Sequence, residues 1–176
     1  MAKQILILGG GYGGLLSAMT AREYLPPEEA AITLINRYET HQLITELHRL
    51  AAGNIAEKAV SLPLKTLLRG LNVDLRIDTV EKIDVNAKSV ALKSGVSLTY
   101  DALVVALGSQ TAFFGIPGLQ EHSFILKSVE DANRIRARIH ACLDAYRANK
   151  RPEDAVFVVG GGGLAGVELV GELADE

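Results

Sequence analysis

The sequence predicts an α/β protein: a parallel sheet opening at the amino end, an antiparallel β-meander inserted into it, and the start of a second unit built like the first. Three observations carry this. Ile5-Leu6-Ile7-Leu8 is an apolar run of strand length that passes without a spacer into Gly9-Gly10-Gly11-Tyr12-Gly13-Gly14 and then into Leu15-Leu16-Ser17-Ala18-Met19, the order of a strand, a glycine turn and a helix. The same order returns as Ala155-Val156-Phe157-Val158-Val159, Gly161-Gly162-Gly163-Leu164-Ala165-Gly166 and Val167-Glu168-Leu169-Val170-Gly171-Glu172-Leu173. Between Val73 and Tyr100 the hydrophobic period changes from helical to twofold.

Taken in order, the first helix is expected over residues 12–25, ended by Pro26-Pro27, and the second strand over 30–35. Residues 40–53 carry Leu43, Leu47 and Leu50 on one helical face, with Gly53 as C-cap, and a short helix is expected over 64–68, ending at Gly70. The meander is expected to use 73–77, 83–85, 90–92 and 96–98, and residues 102–107 read as a strand buried on both faces. Ser128-Val129-Glu130-Asp131 has the form of a capping box. It opens a long helix whose apolar stripe is Ala132, Ile135, Ile139, Cys142, Leu143 and Tyr146, which gives Cys142 a packing role. Pro152-Glu153-Asp154 then breaks the chain. The expected division is a first domain over 1–127, then a connecting helix and the first βα unit of a second, incomplete domain over 128–176.

The 176 residues, 48% apolar and 22% charged, suit a soluble globular protein with one good core. A net charge of −3 without a basic stripe gives no reason to expect nucleic acid. The single Cys142 excludes an internal disulfide and a zinc site of several thiolates, so no metal is expected and a reducing, cytoplasmic compartment is the natural reading. Residues 102–120 hold no charge over nineteen positions. Gly108, Ser109, Gln110, Thr111, Gly115, Pro117 and Gly118 nevertheless argue against a membrane helix. Membrane association is therefore expected to be peripheral or to lie in sequence outside these residues.

The glycine spacing has a mechanism. Gly9 lets the chain reverse, Gly11 leaves room for a pyrophosphate against the backbone, and Gly14 lets the helix lie close to the strand, while the helix N-terminus offers N–H groups to phosphates. An acidic residue is expected at the end of the next strand to hold a ribose. Asn36 stands there, followed by Arg37. Asn36 can still bond a ribose hydroxyl; Arg37 is read as a solvated loop charge, with a 2′-phosphate partner as the alternative. Two such motifs suggest electron transfer between a flavin held by the first and a nicotinamide held by the second. The ribose acid of the second would fall about 20 residues beyond Gly166, which leads to the expectation that the chain is the N-terminal part of a longer protein.

Gly9 to Gly14, the meander, the strand closing in Ala106-Leu107-Gly108-Ser109, and Val159 to Glu168 resemble the two-dinucleotide-binding-domain flavoproteins. Within them, Ile35-Asn36-Arg37-Tyr38 running into His41-Gln42-Leu43, with Ala106-Leu107-Gly108-Ser109-Gln110-Thr111, resembles bacterial type II NADH dehydrogenase. The resemblance implies a Rossmann-like FAD-binding domain carrying the meander, followed by the start of a Rossmann-like NAD-binding domain. It also implies passage of two electrons from NADH through non-covalent FAD to a membrane quinone without proton pumping. The same resemblance implies a homo-oligomer, peripheral to the inner face of the cell membrane and attached through sequence not present here. Residue by residue, Gly9, Gly11 and Gly14, with Tyr12 and Gly13 between them, would cradle the FAD pyrophosphate, and Asn36 and Arg37 would meet the adenosine ribose. Val80 would contact adenine through its backbone, and Thr45, Gly108 and Ser109 would approach the flavin. Gly161, Gly163 and Gly166 would receive NADH. Glu168 matches a glutamate that the family places near the nicotinamide and quinone ends of the flavin, and it is the one catalytic candidate.

Each assignment has a plainer rival. Glu168, read as lying in the first turn of its helix, would be favoured there by the helix dipole alone. His48 is read as a boundary residue of an amphipathic helix and His41 as a loop residue able to approach the cofactor, and neither is placed among the catalytic groups. Disulfide reductases of the superfamily need a cysteine pair early in the first domain, and residues 40–53 contain none. Sulfide:quinone oxidoreductase also depends on cysteines. A stand-alone nucleotide-binding module without turnover is the remaining alternative.

Overall fold

A computed structural model describes residues 2–174. In chain order the elements are strand β1 (Lys3–Leu8), helix α1 (Tyr12–Tyr24), β2 (Ala30–Asn36), β3 (Thr40–Gln42), α2 (Leu47–Ala52), β4 (Ser61–Pro63) and α3 (Leu64–Leu67). There follow β5 (Val73–Ile77), β6 (Val80–Asp84), β7 (Ser89–Leu92), β8 (Ser97–Thr99), β9 (Ala102–Val105), α4 (Leu119–His122), α5 (Val129–Asn149) and α6 (Leu164–Ala174). They fall into two compact units. One is the segment ending at His41 together with Leu62–Ser109; the other is Gln42–Ser61 together with the segment from Gln110 onward. The division expected after residue 127 falls inside the second of these, just ahead of the Ser128 cap. Strands β3 and β4 pair with each other where the chain leaves the first unit and returns to it.

In the first unit a parallel sheet runs in the order β5-β2-β1-β9. Successive side chains of a strand point to opposite faces, and both faces are buried. Ile7, Ile32 and Leu34 pack with Leu15 and Ala18 of α1 and with Leu64 and Leu68, while Leu6, Leu8 and Ile35 pack with Val90 and Leu92 of the meander. Side chains such as Ile7, Leu8 and Leu34 are fully buried, each worth roughly 1.5–3 kcal/mol of apolar transfer.

Several expectations are corrected. Residues 73–77 form β5, which pairs parallel with β2 in the main sheet, so the meander has three strands, β6-β7-β8. A twofold period cannot tell these two destinations apart; the partner decides. Residues 40–53 are not one helix: Thr40–Gln42 is drawn into pairing with β4, Ile44–Glu46 is a 3-10 turn, and only Leu47–Ala52 is α-helical. The strand expected to be buried on both faces, β9, is the edge of the sheet, and Val105 is 59% exposed. Residues 155–159 pair with no strand among the described residues; Pro152–Ala155 is a 3-10 turn and Val158 is 89% exposed. An apolar run forms a ladder only where a neighbouring strand supplies its hydrogen bonds.

In the second unit, Leu47, Leu50 and Ala51 of α2 pack with Val60 and with Val129 and Ala132 of α5, and Leu169 of α6 joins them. Gly53 ends α2 in the left-handed conformation, as expected. Ser128 caps α5, its Oγ accepting from the Asp131 N–H at 3.1 Å, but the returning carboxylate accepts from the N–H of Lys127. The apolar stripe of α5 fades along its length, from buried Ala132 and Ile139 to exposed Tyr146. Cys142 is partly buried on it.

A Cβ on Gly14 would lie 1.8 Å from the carbonyl oxygen of Gly9, so α1 and the end of β1 touch backbone to backbone. Gly14→Ala is expected to destabilise the first unit by on the order of 3 kcal/mol, measured as a fall in the denaturant midpoint of the full-length protein. An unchanged midpoint would show that the contact yields at little cost.

Candidate functional site

Strands β1, β2, β5 and β9 are parallel, so their carboxyl ends lie on one side of the sheet. That side collects the candidates of the first unit: the glycine turn after β1, Asn36 and Arg37 at the end of β2, Val80 just beyond β5, and Gly108 and Ser109 beyond β9. The carboxyl edge of an open α/β sheet is where its ligands bind.

The turn is held from several directions. Gly9 adopts φ +103, its N–H donates to the Ile35 carbonyl at 2.8 Å, and a Cβ there would lie 2.2 Å from the Ala106 carbonyl oxygen. The Gly10 N–H donates to Asn36 Oδ1 at 2.9 Å, and the Gly10 carbonyl accepts from His41 Nδ1 at 2.9 Å. His41 is buried, and its ring stands edge-on to that of Tyr12 at a centroid distance of 4.9 Å. A carbonyl only accepts, so Nδ1 carries the proton. Gly11 begins α1 with no side-chain cap, no acidic residue occupies the first turn, and no atom lies within 4 Å of where a Cβ on Gly11 would be. The result is a helix N-terminus with no side-chain cap and open space beside Gly11, an arrangement suited to an anion. A dinucleotide pyrophosphate fits this cradle.

Asn36 is placed beside the turn, but its side chain is engaged: besides Gly10, its amide donates to the carbonyl of Tyr38 at 2.8 Å and reaches that of Thr40 at 3.4 Å. Arg37 is exposed and lies over the Tyr38 ring at 4.7 Å. Val80 is half-buried at an irregularity of the β6–β7 pairing, and Gly108 has φ +81 with open space around it. Thr45 belongs to the second unit, exposed in the 3-10 turn before α2.

The second unit repeats the turn. Gly161 adopts φ +110, and a Cβ on Gly166 would lie 2.5 Å from the Gly161 carbonyl oxygen and 3.4 Å from Val159 Cγ1. Gly14 stands in the same relation to Gly9 and to Ile7 Cγ2, also at 3.4 Å, and Gly163, like Gly11, faces open space. The position of Glu168 is corrected: α6 begins at Leu164, no acidic residue lies in its first turn, and Glu168 sits one turn further in. The helix-dipole explanation for this carboxylate therefore loses most of its force, because that effect falls off within the first turn. Its partner is His48, whose Nδ1 lies 3.5 Å from Glu168 Oε2.

Two residues set aside in the sequence thus touch the candidates: His41 supports the first turn and His48 is the neighbour of Glu168. No local signal marks either; both contacts join segments far apart in the chain. Among the described residues no cluster of side chains is suited to a metal ion, and no helix is long and apolar enough to cross a membrane.

A family model described as pyridine nucleotide-disulphide oxidoreductase matches residues 3–175. Type II NADH:quinone oxidoreductase of Staphylococcus aureus is 38% identical over 175 residues, covering 98% of this chain and 43% of that protein. NDH2 of Plasmodium falciparum, solved in complex with NADH, shares the fold with a TM-score of 0.86 at 24% identity, over 99% of this chain and 37% of that one. Sulfide:quinone oxidoreductase of Aquifex aeolicus superposes with a TM-score of 0.72 at 31% identity, over 84% of this chain and 33% of that one. The chain spans less than half the length of the relatives it matches.

Asn36→Ala would leave the Gly10 N–H without its acceptor, a loss of roughly 1–3 kcal/mol if the group stays dry, and is expected to weaken dinucleotide binding. Asn36→Asp, which restores an acceptor for that N–H, should recover part of it. Gly11→Val should fold within about 1 kcal/mol of the parent, yet lose the ligand. Titration of the three full-length variants with FAD checks this; parental affinity in Gly11→Val would move the phosphate site elsewhere.

Proposed function

The chain belongs to the pyridine nucleotide-disulphide oxidoreductase family, and on that premise we propose that the protein carrying it is an FAD-dependent oxidoreductase that passes electrons from NADH to a quinone. The carrying observation is the pair of glycine turns in two separate units, alike in the positive φ of the first glycine and in the close approach of the third glycine to its carbonyl, each preceding a helix and each leaving its central glycine open. One dinucleotide cradle is an ordinary binding module; two suit exchange between two dinucleotides. The first would hold FAD through Gly9, Gly11, Tyr12, Gly13 and Gly14, with Asn36, Arg37, Val80, Thr45, Gly108 and Ser109 along its length, and the second would hold NADH through Gly161, Gly163 and Gly166. A bound flavin supplies two-electron chemistry between the nicotinamide and the acceptor.

The quinone as acceptor is supported by the name of the 38% identical relative. Peripheral attachment to the cytoplasmic face of a membrane, without proton pumping, and assembly as a homo-oligomer belong to the same reading. The chain's own residues oppose one branch of the family: its single cysteine, Cys142, lies on α5, so these residues contain no cysteine pair to act on a disulfide. A second reading, with sulfide as electron donor, draws on the 31% identical sulfide:quinone oxidoreductase.

In this reading Glu168 is the group that handles protons. In the full-length enzyme Glu168→Gln should keep FAD and fold normally but slow turnover by roughly tenfold or more, as loss of a general acid does.

The purified full-length protein should be yellow, release its flavin on heating or in acid, bleach with NADH and recover its colour with a quinone. A protein that stays colourless after reconstitution with FAD overturns the flavin reading, and bleaching by sulfide but not by NADH selects the second donor. For Glu168→Gln, parental rates in both half-reactions, measured by rapid mixing, would make the residue structural.

A further inference from the structure

Glu168 shares its face of α6 with Glu172, one turn later, and like charges four residues apart repel. Helix α2 lies against both and presents His48. Its Nδ1 is 3.5 Å from Glu168 Oε2 and its Nε2 is 3.9 Å from Glu172 Oε1, and the imidazole is only 13% exposed. Glu172 is tied down independently: Asn54 Nδ2 donates to its Oε2 at 2.5 Å, and Arg49 Nε lies 3.8 Å from its Oε1. Arg49 in turn pairs with Glu46 at 3.1 Å. Helix α5 meets α2 through apolar Val129, Ala132 and Ile135. Among the described residues, the ion-pairing groups that face the ring are therefore the two glutamates of α6, with Arg49 behind Glu172.

We propose that His48 is the positioning residue through which Glu168 regains the proton it delivers during quinone reduction; this rests on the reading of Glu168 given above. The overall change is NADH, one proton and a quinone going to NAD⁺ and a quinol. Two electrons and one proton leave NADH as hydride, so the second proton comes from water. The O–H bond of Glu168 breaks as one quinol O–H bond forms. The carboxylate left behind takes the proton on Nδ1 of His48 as Nε2, the nitrogen that faces the fixed carboxylate of Glu172, takes one from water, and loss of the Nε2 proton to water with uptake of one at Nδ1 restores the starting tautomer. Imidazole is suited to this because it exchanges protons near neutral pH and can accept on one nitrogen while donating from the other. A separation of 3.5 Å is longer than a formed hydrogen bond, and such acid–base pairs commonly tighten only in the working complex.

The rival role is electrostatic screening, in which His48 only offsets two carboxylates. Screening needs a positive charge; a relay needs a ring that gives up a proton and takes it back. The test uses the full-length FAD-loaded enzyme and follows NADH oxidation and quinone reduction separately by rapid mixing. His48→Gln and His48→Lys are each expected to slow quinone reduction by about tenfold, with a much smaller effect on flavin reduction by NADH. Parental quinone rates in His48→Lys would assign screening and overturn the relay. Parental rates in His48→Gln, alongside a slow Glu168→Gln, would overturn the relay while leaving the reading of Glu168 intact. Parental rates in Glu168→Gln itself would instead remove that reading. Where neither His48 variant retains FAD, the parent is followed in mixtures of light and heavy water: a quinone rate that falls along a curve, as two protons moving together require, supports the relay, and a straight line or no change overturns it.

Discussion

The peptide of Gly10 is gripped on both sides, its N–H by Asn36 from the end of β2 and its carbonyl by His41 from β3. Around that grip the rest of the first unit is arranged. Glycine loses more backbone freedom on ordering than any other residue, and this turn contains five of them, so it needs bonds from outside itself to keep one shape. Each is worth about 0.5–1.5 kcal/mol net. They fix the direction in which α1 leaves, and hence where its N-terminus points. Asn36 occupies the position from which an acidic residue would reach a ribose, and in this chain that position supports the loop as well. The edge-on ring of Tyr12 against His41 ties the first residue of α1 to the same support.

The two long helix starts of known cap show how one physical property serves opposite ends. At α5 the N-terminal donors are consumed internally: Gln42 Oε1 accepts from Val129 and Ser128 Oγ accepts from Asp131. At α1 no side chain fills that role. The helix dipole acts alike in both, but α1 goes without the capping side chain that α5 has. Such restraint has a stability cost, since a capping side chain typically contributes about 1 kcal/mol. It is the kind of local weakness expected where function requires it.

What could be read from the sequence was whatever local chemistry decides. The strand, turn and helix at the amino end, the Ser128 cap and the Gly53 stop depend on residues a few positions apart, and all are present. What could not be read depends on distant partners. β5 alternates as a meander strand would, and only Ile32 to Asn36 alongside it makes it part of the parallel sheet. Thr40–Gln42 carried no strand signal stronger than the helical spacing that follows, and β4, some twenty residues on, decides its state. The start of α6 was legible in principle. Tyr12 begins α1 directly after Gly11, and Leu164 stands in the same relation to Gly163, which already moves Glu168 out of the first turn. His48 was hidden for a different reason: its meaning lies in α6, more than a hundred residues away.

The sheet order also sets a timetable. β1 is an inner strand, flanked by β2 and β9, and Ile5 pairs with Ala102 across almost the whole length of the first unit. Parallel pairings of such sequence separation are slow to close, because the loop entropy must be overcome before the contact gains anything. During synthesis β1 therefore leaves the ribosome well before β9, the second of its two partners. For the time the ribosome needs to add the residues between, at about 5–20 per second, Ile5 to Leu8 has at most one of its two neighbours. In a cell, this interval is where a chaperone would have its strongest claim on the chain.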